Sequence, residues 1–423
     1  MPASRQRKLR AIARSAAAAA SVLALMAPAV SHAAPAGIQF RRAVTLPFPG
    51  ARFAAVSSAS CGAAGSCTLG GEFVGRSGLS HIVVITRANG RWGDPIKLQL
   101  PQGSPPGFAG AVNSISCTRV GSCVAVGSYG GARSRGFAAT ESHGKWQPAV
   151  QLRRPSNAGA RFSAFILRVA CTGPGNCVAG GNYSQTSGHH APFVVTEVNG
   201  RWKRGQELRP PPNATIRQPV ILTGLACPAR GSCVAVGVYA DKANRPSVFA
   251  ATESGGTWHQ AVQLVMPKDS NTSPLEFIHS VACSGVGSCV VVGSYVSRSS
   301  GLLPMSVTES GGTWARARHV TQVPADATAR PQLTFSSVSC LPNGPCLAVG
   351  HYRIRSGGVA AMVMTKTGNR WISASQIRTP PNGPTGDTHL AQAVAIGCSA
   401  TAFCAIGGSY GTIRVQLPMA ATS

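Results

Sequence analysis

The stretch CPARGSCVAVGVY, residues 227–239, contains two cysteines with five residues between them, followed by β-forming residues that end at Tyr239. The same Cys-x5-Cys pattern occurs seven times, at intervals of 54 to 58 residues, and uses all fourteen cysteines. The pairs are Cys61/Cys67, Cys117/Cys123, Cys171/Cys177, Cys227/Cys233, Cys283/Cys289, Cys340/Cys346 and Cys398/Cys404. A regular interval of this length predicts a propeller or a solenoid rather than separate globular domains.

The fourth repeat shows what one unit contains. An apolar run at Ile221–Ala226 precedes the cysteine turn, and β-forming residues follow at Val234–Tyr239 and Ser247–Thr252. After a glycine-containing turn, Trp258–Leu264 closes the unit. Four short strands joined by three turns are the content of one propeller blade. No part of residues 34–423 shows the apolar period of an amphipathic helix.

The seventh repeat lacks its fourth strand, and a segment at the other end of the chain resembles the missing piece. Gly37–Pro47 matches Gly144–Leu152 of the second repeat, with Phe40 at the position of Trp146. We therefore predict an all-β, seven-bladed β-propeller with four antiparallel strands per blade, in which the N-terminal strand completes blade seven. Such closure removes an open sheet edge, whereas the alternative, an open solenoid, would not need that strand.

The cysteine pairs are predicted to form seven disulfides. Each pair brackets the turn between the first and second strands, where a hairpin places two cysteines opposite each other. Such small loops stabilise a fold by about 2 kcal/mol each. The alternative, zinc binding, needs four ligands per ion, and Cys-x5-Cys is not the spacing of a zinc finger.

Residues 1–33 have the features of a signal peptide. Five basic residues precede a short apolar run at Ala16–Met26, and Ser31–Ala33 is a small-x-small cleavage site. We predict Sec-type export with cleavage after Ala33, leaving a single domain at 34–423 that is secreted, extracellular or periplasmic. The alternative, an uncleaved anchor, needs about 20 apolar residues. No later stretch of the sequence is long and apolar enough for a transmembrane span. A closed ring has no free sheet edge, which predicts a monomer.

Residues that recur from repeat to repeat are expected to be architectural. The tryptophans that open the fourth strands predict packing between blades, and the tyrosines that end the second strands predict packing with a polar tip near a loop. Glutamate recurs before the last turn, but Arg87 and Lys366 take that position in two repeats. A position that accepts either sign predicts a solvated turn rather than a catalytic acid. The glutamates are Glu141, Glu197, Glu253 and Glu309.

The repeat unit resembles repeats of poorly characterised bacterial exported propellers, and this resemblance covers nearly all of residues 34–423. More distantly, Thr252–Trp258 (TESGGTW) resembles the Asp-box turn, Ser-x-Asp-x-Gly-x-x-Trp, of sialidase-type propellers. Ser254 replaces the aspartate, and one residue is missing before the tryptophan. The Asp-box is a structural turn, so the resemblance implies the fold and not the activity.

The chain carries a formal charge of +27, which becomes +22 without residues 1–33, because these hold five basic residues and no acid. This charge favours anionic partners, and the alternative is a basic surface without a specific role.

In a propeller, the second-to-third strand loops and the links between repeats share one end, here called the loop end. The other, uniform end is called the turn end. Loop-end arginines are candidate ligand-binding residues because arginine grips carboxylate, sulfate or phosphate with two hydrogen bonds. They are Arg133, Arg135, Arg153, Arg154, Arg298, Arg353 and Arg355.

Two polar residues interrupt small or apolar first strands, which line the channel of a propeller. Arg168 is a further ligand-binding candidate for this reason, whereas His279 favours a structural contact. The pair His189-His190 lies in a variable loop, where it could catch a metal adventitiously. No spacing predicts a resident metal or another cofactor.

These observations lead to a non-catalytic binding or scaffold propeller. Its expected partner is an anionic glycan or envelope polymer, or a protein, and no specific recognition of nucleic acid is expected. The alternative is a glycan-active enzyme distantly related to sialidase-type propellers. Such an enzyme would use isolated acids, Glu72 or Asp387 first, although glycosidases need two placed carboxylates.

Overall fold

A computed structural model describes residues 38–423 except 105–109, 131–132, 160–162, 216, 272–276, 382–388 and 413. The predicted signal peptide, residues 1–33, lies outside the described residues. The described part of the chain consists of strands, turns and irregular segments, and none of it is helical. No helix that could span a membrane is found among the described residues. We number the strands β1 to β33 in chain order and the repeats one to seven by their cysteine pairs.

Each repeat contributes three long strands. The first strands are β2 (Ala51–Ala63), β7 (Gly110–Arg119), β12 (Ala164–Gly173), β17 (Ile221–Ala229), β22 (Phe277–Gly285), β27 (Thr334–Cys340) and β31 (Leu390–Cys398). The second strands are β3 (Ser66–Gly75), β8 (Ser122–Tyr129), β13 (Asn176–Ser184), β18 (Ser232–Ala240), β23 (Ser288–Ser297), β28 (Cys346–Arg353) and β32 (Cys404–Gly411). The third strands are β4 (Ser80–Ala88), β9 (Arg135–Ser142), β14 (His190–Val198), β19 (Pro246–Ser254), β24 (Gly301–Ser310), β29 (Val359–Thr367) and β33 (Gln416–Thr422).

The outer edges are short. In repeats one to five the edge is a pair of strands: β5 (Arg91–Trp92) and β6 (Ile96–Lys97), β10 (Lys145–Trp146) and β11 (Val150–Gln151), β15 (Arg201–Trp202) and β16 (Gln206–Glu207), β20 (Thr257–Trp258) and β21 (Val262–Leu264), β25 (Thr313–Trp314) and β26 (Arg318–His319). Repeat six ends in β30 (Arg370–Gln376), and β1 (Val44–Thr45) is the N-terminal strand.

Hydrogen bonding joins these strands into six sheets. Five sheets have five strands, and in each the third strand pairs with both short outer strands. The sixth has eight strands and comprises repeats six and seven, which one parallel residue pair joins, Val359 with Leu390. The pair separates two four-stranded antiparallel units. One unit contains β27 to β30, and the other contains β31 to β33 together with β1. The predicted repetition of four-stranded antiparallel units is therefore confirmed.

The first strands contact one another in a closed circuit. Strand β2 contacts β7, then β12, β17, β22, β27 and β31 follow in order, and β31 contacts β2. Serine side chains connect neighbours in this circuit: Ile115 N–H donates to Ser58 Oγ (2.8 Å), and Cys398 N–H donates to Ser339 Oγ (3.2 Å). A closed circuit of first strands, each at one edge of its own repeat, is the architecture of a β-propeller.

The hydrophobic core lies between neighbouring sheets, and the tryptophans are part of it. Trp258 is buried in a cluster that combines Val178 of repeat three with Leu222 of repeat four. Trp371 stacks on Phe335 with ring centroids 5.3 Å apart, and its Nε1 donates to Ser306 Oγ of the preceding repeat (3.0 Å). The predicted role of the tryptophans in packing between repeats is confirmed.

The outer strand differs from the prediction of one continuous strand such as Trp258–Leu264. In repeat four it is interrupted after Trp258 and resumes at Val262. The reason is that Ala261 N–H leaves its own sheet and donates to Arg209 O of the preceding link (2.9 Å). Ala149 N–H donates in the same way to Gln99 O (2.9 Å). In repeats two and four this bond ties the outer edge to the preceding repeat, whereas the outer strand of repeat six, β30, is continuous.

The N-terminal segment occupies the outer edge of repeat seven. Val44 pairs with Ala420 of β33, and Arg41 N–H donates to Thr422 O (2.8 Å). Ala43 N–H donates to Arg378 O (2.8 Å), which repeats the bond from Ala149 to the preceding link. This segment also completes the contact with repeat six, so the two ends of the described chain meet in one sheet.

All seven predicted disulfides are present, and the described residues include no free cysteine. The bonded pairs are Cys61–Cys67, Cys117–Cys123, Cys171–Cys177, Cys227–Cys233, Cys283–Cys289, Cys340–Cys346 and Cys398–Cys404. Within a pair the Cα atoms lie 3.9 to 4.1 Å apart, because the two cysteines face each other across the first turn. In repeat four this turn contains Gly231 at a φ of 68°, a left-handed conformation that glycine adopts without strain. Each disulfide thus fixes the turn end of one repeat.

The second cysteine of each pair is deeply buried, in addition to its predicted role of bracketing the first turn. Cys67 and Cys289 are each 1% exposed, and Cys123 is 4% exposed. The reason is that these cysteines lie within the second strands and pack against neighbouring repeats. Cys289 belongs to a core cluster with Val236 of repeat four, and Thr68 Oγ1 of repeat one lies 3.8 Å from Cys123 Sγ of repeat two. Cys67, Cys123 and Cys289 are therefore core residues with a structural role, and they are not part of a ligand-binding surface.

Candidate functional site

The two ends of the propeller are built differently. At the turn end, the two turns of a repeat are held together by a backbone hydrogen bond, as from Gly256 N–H to Gly231 O (3.0 Å). At the loop end, the link that enters a repeat pairs with that repeat's second-to-third strand loop, as Ala214 does with Asp241. In repeats three to six, a link and a loop are joined in this way, so residues from both can contribute to one ligand-binding surface.

Tyrosines at the ends of the second strands hold the links in place. Each hydroxyl donates to an Asn or Asp side chain 26 residues earlier, which lies in the link. The pairs are Tyr183 with Asn157 (2.8 Å), Tyr239 with Asn213 (2.9 Å), Tyr295 with Asp269 (3.1 Å) and Tyr352 with Asp326 (2.6 Å). We did not predict this contact, although the constant spacing of Asn or Asp before tyrosine is visible in the sequence. In repeats three to six, each of these contacts fixes one residue of a link to its own repeat.

Four isolated acids accept hydrogen bonds that hold the links and loops in place. Asp269 and Asp326 accept from tyrosine, and Glu207 accepts from Tyr183. Asp241 forms an ion pair with Arg245 (2.8 Å), the only one among the described residues. Hydrogen bonds from Arg245 hold the pKa of Asp241 below its ordinary value. These acids stabilise the loops and do not converge on one cavity.

Of the two acids predicted for the enzymatic alternative, the structure describes only one. Glu72 lies on β3, where its Oε2 accepts a long hydrogen bond from Ser80 Oγ (3.4 Å). Asp387 lies outside the described residues. No group of three or more His, Cys, Asp or Glu that could hold a metal occurs in the described chain, so His189 and His190 have no further ligand there.

The predicted ligand-binding arginines lie at the loop end, in two groups. Repeats two and three carry the first group, of which Arg133, Arg135 and Arg153 are exposed and Arg154 is half-buried, with Nη1 donating to Gly159 O (3.0 Å). Repeats five and six carry the second group, which is exposed: Arg298, Arg353 and Arg355.

The second group is held by neutral acceptors. Arg353 Nε donates to Gln332 Oε1 (2.6 Å), and Arg355 donates to the carbonyl oxygens of Ala327 (3.0 Å) and Ala325 (2.6 Å). These contacts orient the guanidinium groups but leave their charge uncompensated. None of the three arginines in this group forms an ion pair within the described residues.

A cavity of about 620 Å³ opens in repeat one, and we call it the first-repeat pocket. Phe73 stands there at the position of the linking tyrosines, and its ring packs against Phe48 (6.1 Å) and His81 (4.9 Å). Lys97 Nζ lies 5.3 Å from the centroid of Phe73. Burial and the charge of Lys97 lower the pKa of His81. The remaining polar lining comes from Arg76, Ser77 and Asp94.

Arg168 reaches across the central channel. Its Nη1 donates to Leu167 O (2.9 Å), and its Nη2 donates to His279 O (3.3 Å), two repeats further on. Burial lowers the pKa of Arg168 to about 10, so the side chain remains charged near neutrality. The structure brings Arg168 and His279 together, although the other candidate arginines lie elsewhere. The expected structural contact of His279 is made by its carbonyl oxygen.

The recurring glutamates are not solvated, so that prediction was wrong. Glu197, Glu253 and Glu309 are at most 4% exposed, and Oε2 of each has no hydrogen-bond partner. Burial raises their pKa. Glu197 and Glu253 line one cavity of about 310 Å³ between repeats three and four.

Basic residues fit the same buried position by other means. Arg87 donates from Nη1 to Gly65 O (3.0 Å) and lies over the ring of Phe403, and Lys366 donates to Gly368 O. Both contacts replace water with fixed dipoles or an aromatic ring. This repeat position therefore holds acidic or basic side chains because each has its own local partners, and not because the position is exposed to solvent.

No protein-family model and no curated protein matches this chain. Among solved structures it is similar to a PL25 ulvan lyase at 10% identity and a TM-score of 0.48, covering 87% of this chain and 93% of that one. It is similar to the NanB sialidase of Streptococcus pneumoniae at 9% identity and a TM-score of 0.45, covering 90% and 70%. The Aleuria aurantia lectin shows 14% identity and a TM-score of 0.41, covering 79% and 100%. At TM-scores below 0.5, these likenesses carry no conclusion about what this chain binds.

Proposed function

We propose that this chain is an exported, monomeric, seven-bladed β-propeller that binds an anionic glycan polymer at its loop end without catalysing its cleavage. Seven blades are supported by the closed circuit of first strands and by the single residue pair that joins repeats six and seven. Export is supported by the seven disulfides, because such bonds persist in oxidising compartments.

The observation that carries the proposal is an imbalance of charge at the loop end. Exposed arginines such as Arg298 and Arg353 form no ion pair with a described residue, whereas Asp269 and Asp326 accept hydrogen bonds from tyrosine. The acids are thus engaged by the architecture, and the arginines remain available for an anion. The link residues that tyrosines hold in place lose less conformational freedom on binding, which favours affinity.

The first-repeat pocket suits one acidic sugar of such a polymer. Phe73 and Phe48 offer apolar faces, and Arg76 and Lys97 offer two cations beside them. Small-molecule pockets combine an apolar lining with a few placed polar groups in this way. Arg76→Gln should weaken polymer binding, and Arg91→Gln, a matched change of an exposed arginine near the turn end, should not.

The test is a binding titration of the oxidised chain from Ala34 onward. Polygalacturonate and its fully methyl-esterified form are a matched pair that differ in charge, and duplex DNA provides a polyanion without sugar acids. We expect binding of polygalacturonate that survives moderate salt, and no binding of the ester. Equal binding of every polyanion that vanishes with salt would contradict the proposal, because it would show a non-specific surface charge. Binding of a protein alone would contradict it as well.

A further inference from the structure

A second cavity, of about 290 Å³, lies between repeats five and six beside the channel, and we call it the five–six pocket. It is separate from the first-repeat pocket, and none of the loop-end arginines lines it. Its walls combine aromatic and aliphatic side chains with hydroxyl groups and imidazoles: Phe277, His279, Ser294, Leu302, Thr334, Ser336 and His351. This mixture is the lining expected of a small-molecule site.

The serine in this pocket is an exception within its repeat position. In repeat two, Ser128 Oγ accepts from Ile166 N–H of the next first strand (3.1 Å). In repeat three, Asn182 Oδ1 accepts from Leu222 N–H (2.8 Å). Ser294 occupies the same position in repeat five, but its Oγ is buried and has no partner. A buried hydroxyl without a partner is costly, and a ligand in the pocket would satisfy it.

The charge beside the pocket favours an anion. Arg168 donates to the carbonyl oxygen of His279, and no described carboxylate pairs with Arg168. Desolvation lowers the pKa of His279, and the charge of Arg168 lowers it further, so this imidazole is neutral near pH 7. Desolvation also lowers the pKa of His351. A guanidinium next to neutral imidazoles attracts a carboxylate and repels a metal cation.

The shape of the pocket indicates what else the ligand contains. Phe277 and Leu302 are 43% and 37% exposed, so they offer apolar surface without being part of a core. Thr334 Oγ1 is already bonded to the ring of His351 (3.0 Å to Nε2), which leaves Ser294 and Ser336 as hydroxyl donors. The volume is at the lower end of the range of small-molecule pockets.

We infer that the five–six pocket binds a small organic carboxylate, whose oxygens accept from Ser294 and Ser336 in the field of Arg168 and whose apolar part packs on Phe277 and Leu302. The five–six pocket lies at the loop-end termini of β22, β23 and β28, but it uses none of the loop-end arginines and takes a different ligand from the proposed polymer. It provides the propeller with a small-molecule ligand, which its sequence repeats do not indicate.

The probes are benzoate and lactate, each paired with its uncharged amide, benzamide and lactamide. Each is titrated into the full mature chain and followed by NMR of the histidine rings, with His279 and His351 assigned from His→Gln variants. We expect at least one acid to shift both rings in a saturable way, and its amide to bind at least tenfold more weakly. The inference is overturned if neither acid shifts these rings, or if an amide binds as well as its acid.

Variants connect the binding to the named residues. Ser294→Ala should weaken the acid about tenfold, whereas Ser128→Ala, the matched change in repeat two, should leave binding unchanged even if it lowers stability. Arg168→Gln should weaken binding more than Arg168→Lys, which retains the charge. Binding should persist in a chain that carries Glu at Arg133 and Arg135, which lie in repeat two, so failure of one proposal is distinguishable from failure of the other. Unchanged binding in Ser294→Ala would overturn the assignment.

Discussion

Arg168, on the first strand of repeat three, donates from Nη2 to the carbonyl oxygen of His279, on the first strand of repeat five, at 3.3 Å. The bond passes repeat four, where Gly224 has the equivalent position and carries no side chain. A charged residue thus connects two sheets that are not neighbours, across the channel around which the first strands are arranged. Its positive charge has no carboxylate partner among the described residues.

Arg168 is expected to contribute little to stability, because the cost of burying its charge offsets its two hydrogen bonds. Arg168→Met should unfold at the parent temperature or above it, as measured by calorimetry at pH 7 in a buffer without carboxylates. The matched variant Arg230→Met, at an exposed turn, should not change the unfolding temperature. A loss of more than about 2 kcal/mol in Arg168→Met would show that the channel bond is structural.

Glu253 should destabilise the fold as its carboxyl ionises. Burial raises its pKa, so the folded chain keeps this proton to a higher pH than the unfolded chain does. The stability that this group contributes is complete below its ordinary pKa and is lost as the pH rises through the folded value. Glu253→Gln should therefore raise the free energy of unfolding at pH 7 by about 1 kcal/mol.

The control for this prediction is Asp94→Asn, an exposed acid that should have no effect. Denaturant unfolding at pH 7 and at pH 4 measures both variants. The gain in Glu253→Gln should shrink at the lower pH, where the parent carboxyl is protonated. An equal gain at both pH values would attribute the effect to packing instead.

The tyrosine contacts at the loop end should stabilise the fold. Tyr352→Phe removes the hydroxyl group that donates a hydrogen bond to Asp326 (2.6 Å). This variant should lower the free energy of unfolding by about 2 kcal/mol, because the acceptor is charged. Tyr129→Phe is the matched control, since its hydroxyl donates to the neutral Gln151 at 3.2 Å. Equal losses in the two variants would mean that Asp326 adds nothing.

The N-terminal segment should be needed for closure. A chain that begins at Pro47 loses Ala43 and Leu46, which are buried, and exposes the edge of β33. It should unfold about 5–10 °C below a control chain that begins at Ile38 and should form soluble aggregates through the free edge. Thermal unfolding and size-exclusion chromatography measure both. A monomer with the stability of the control would refute the role of closure.

The fold was largely predictable because the same sequence pattern occurs independently in each repeat. The cysteine spacing, the tryptophan position and the match of Gly37–Pro47 to an outer strand all depend on local order in the chain. The interruption after Trp258 was not predictable, because it results from a bond to the preceding link. The burial of Glu253 and of Cys289 was likewise not predictable, since the residues that cover them belong partly to a neighbouring repeat.

The candidate sites depend even more on distant contacts. Arg168 and His279 are 111 residues apart, and only the ring brings them together. The missing partner of Ser294 becomes visible only by comparison with the bonds of Ser128 and Asn182. By contrast, the spacing of 26 residues between Asp326 and Tyr352 is present in the sequence and could have revealed the contact.

The central claim, that the loop end binds an anionic glycan, is tested most directly by two charge reversals of equal size. One variant carries Glu at four loop-end positions, Arg133, Arg135, Arg353 and Arg355; the other carries Glu at four turn-end positions, Arg119, Lys145, Arg201 and Arg230, all of which are exposed in the parent. Affinity for polygalacturonate is measured at one moderate salt concentration after both variants are shown to be folded. Loss of binding in the first variant alone is the predicted result. Equal loss in both variants, or unchanged binding in the first, would contradict the claim.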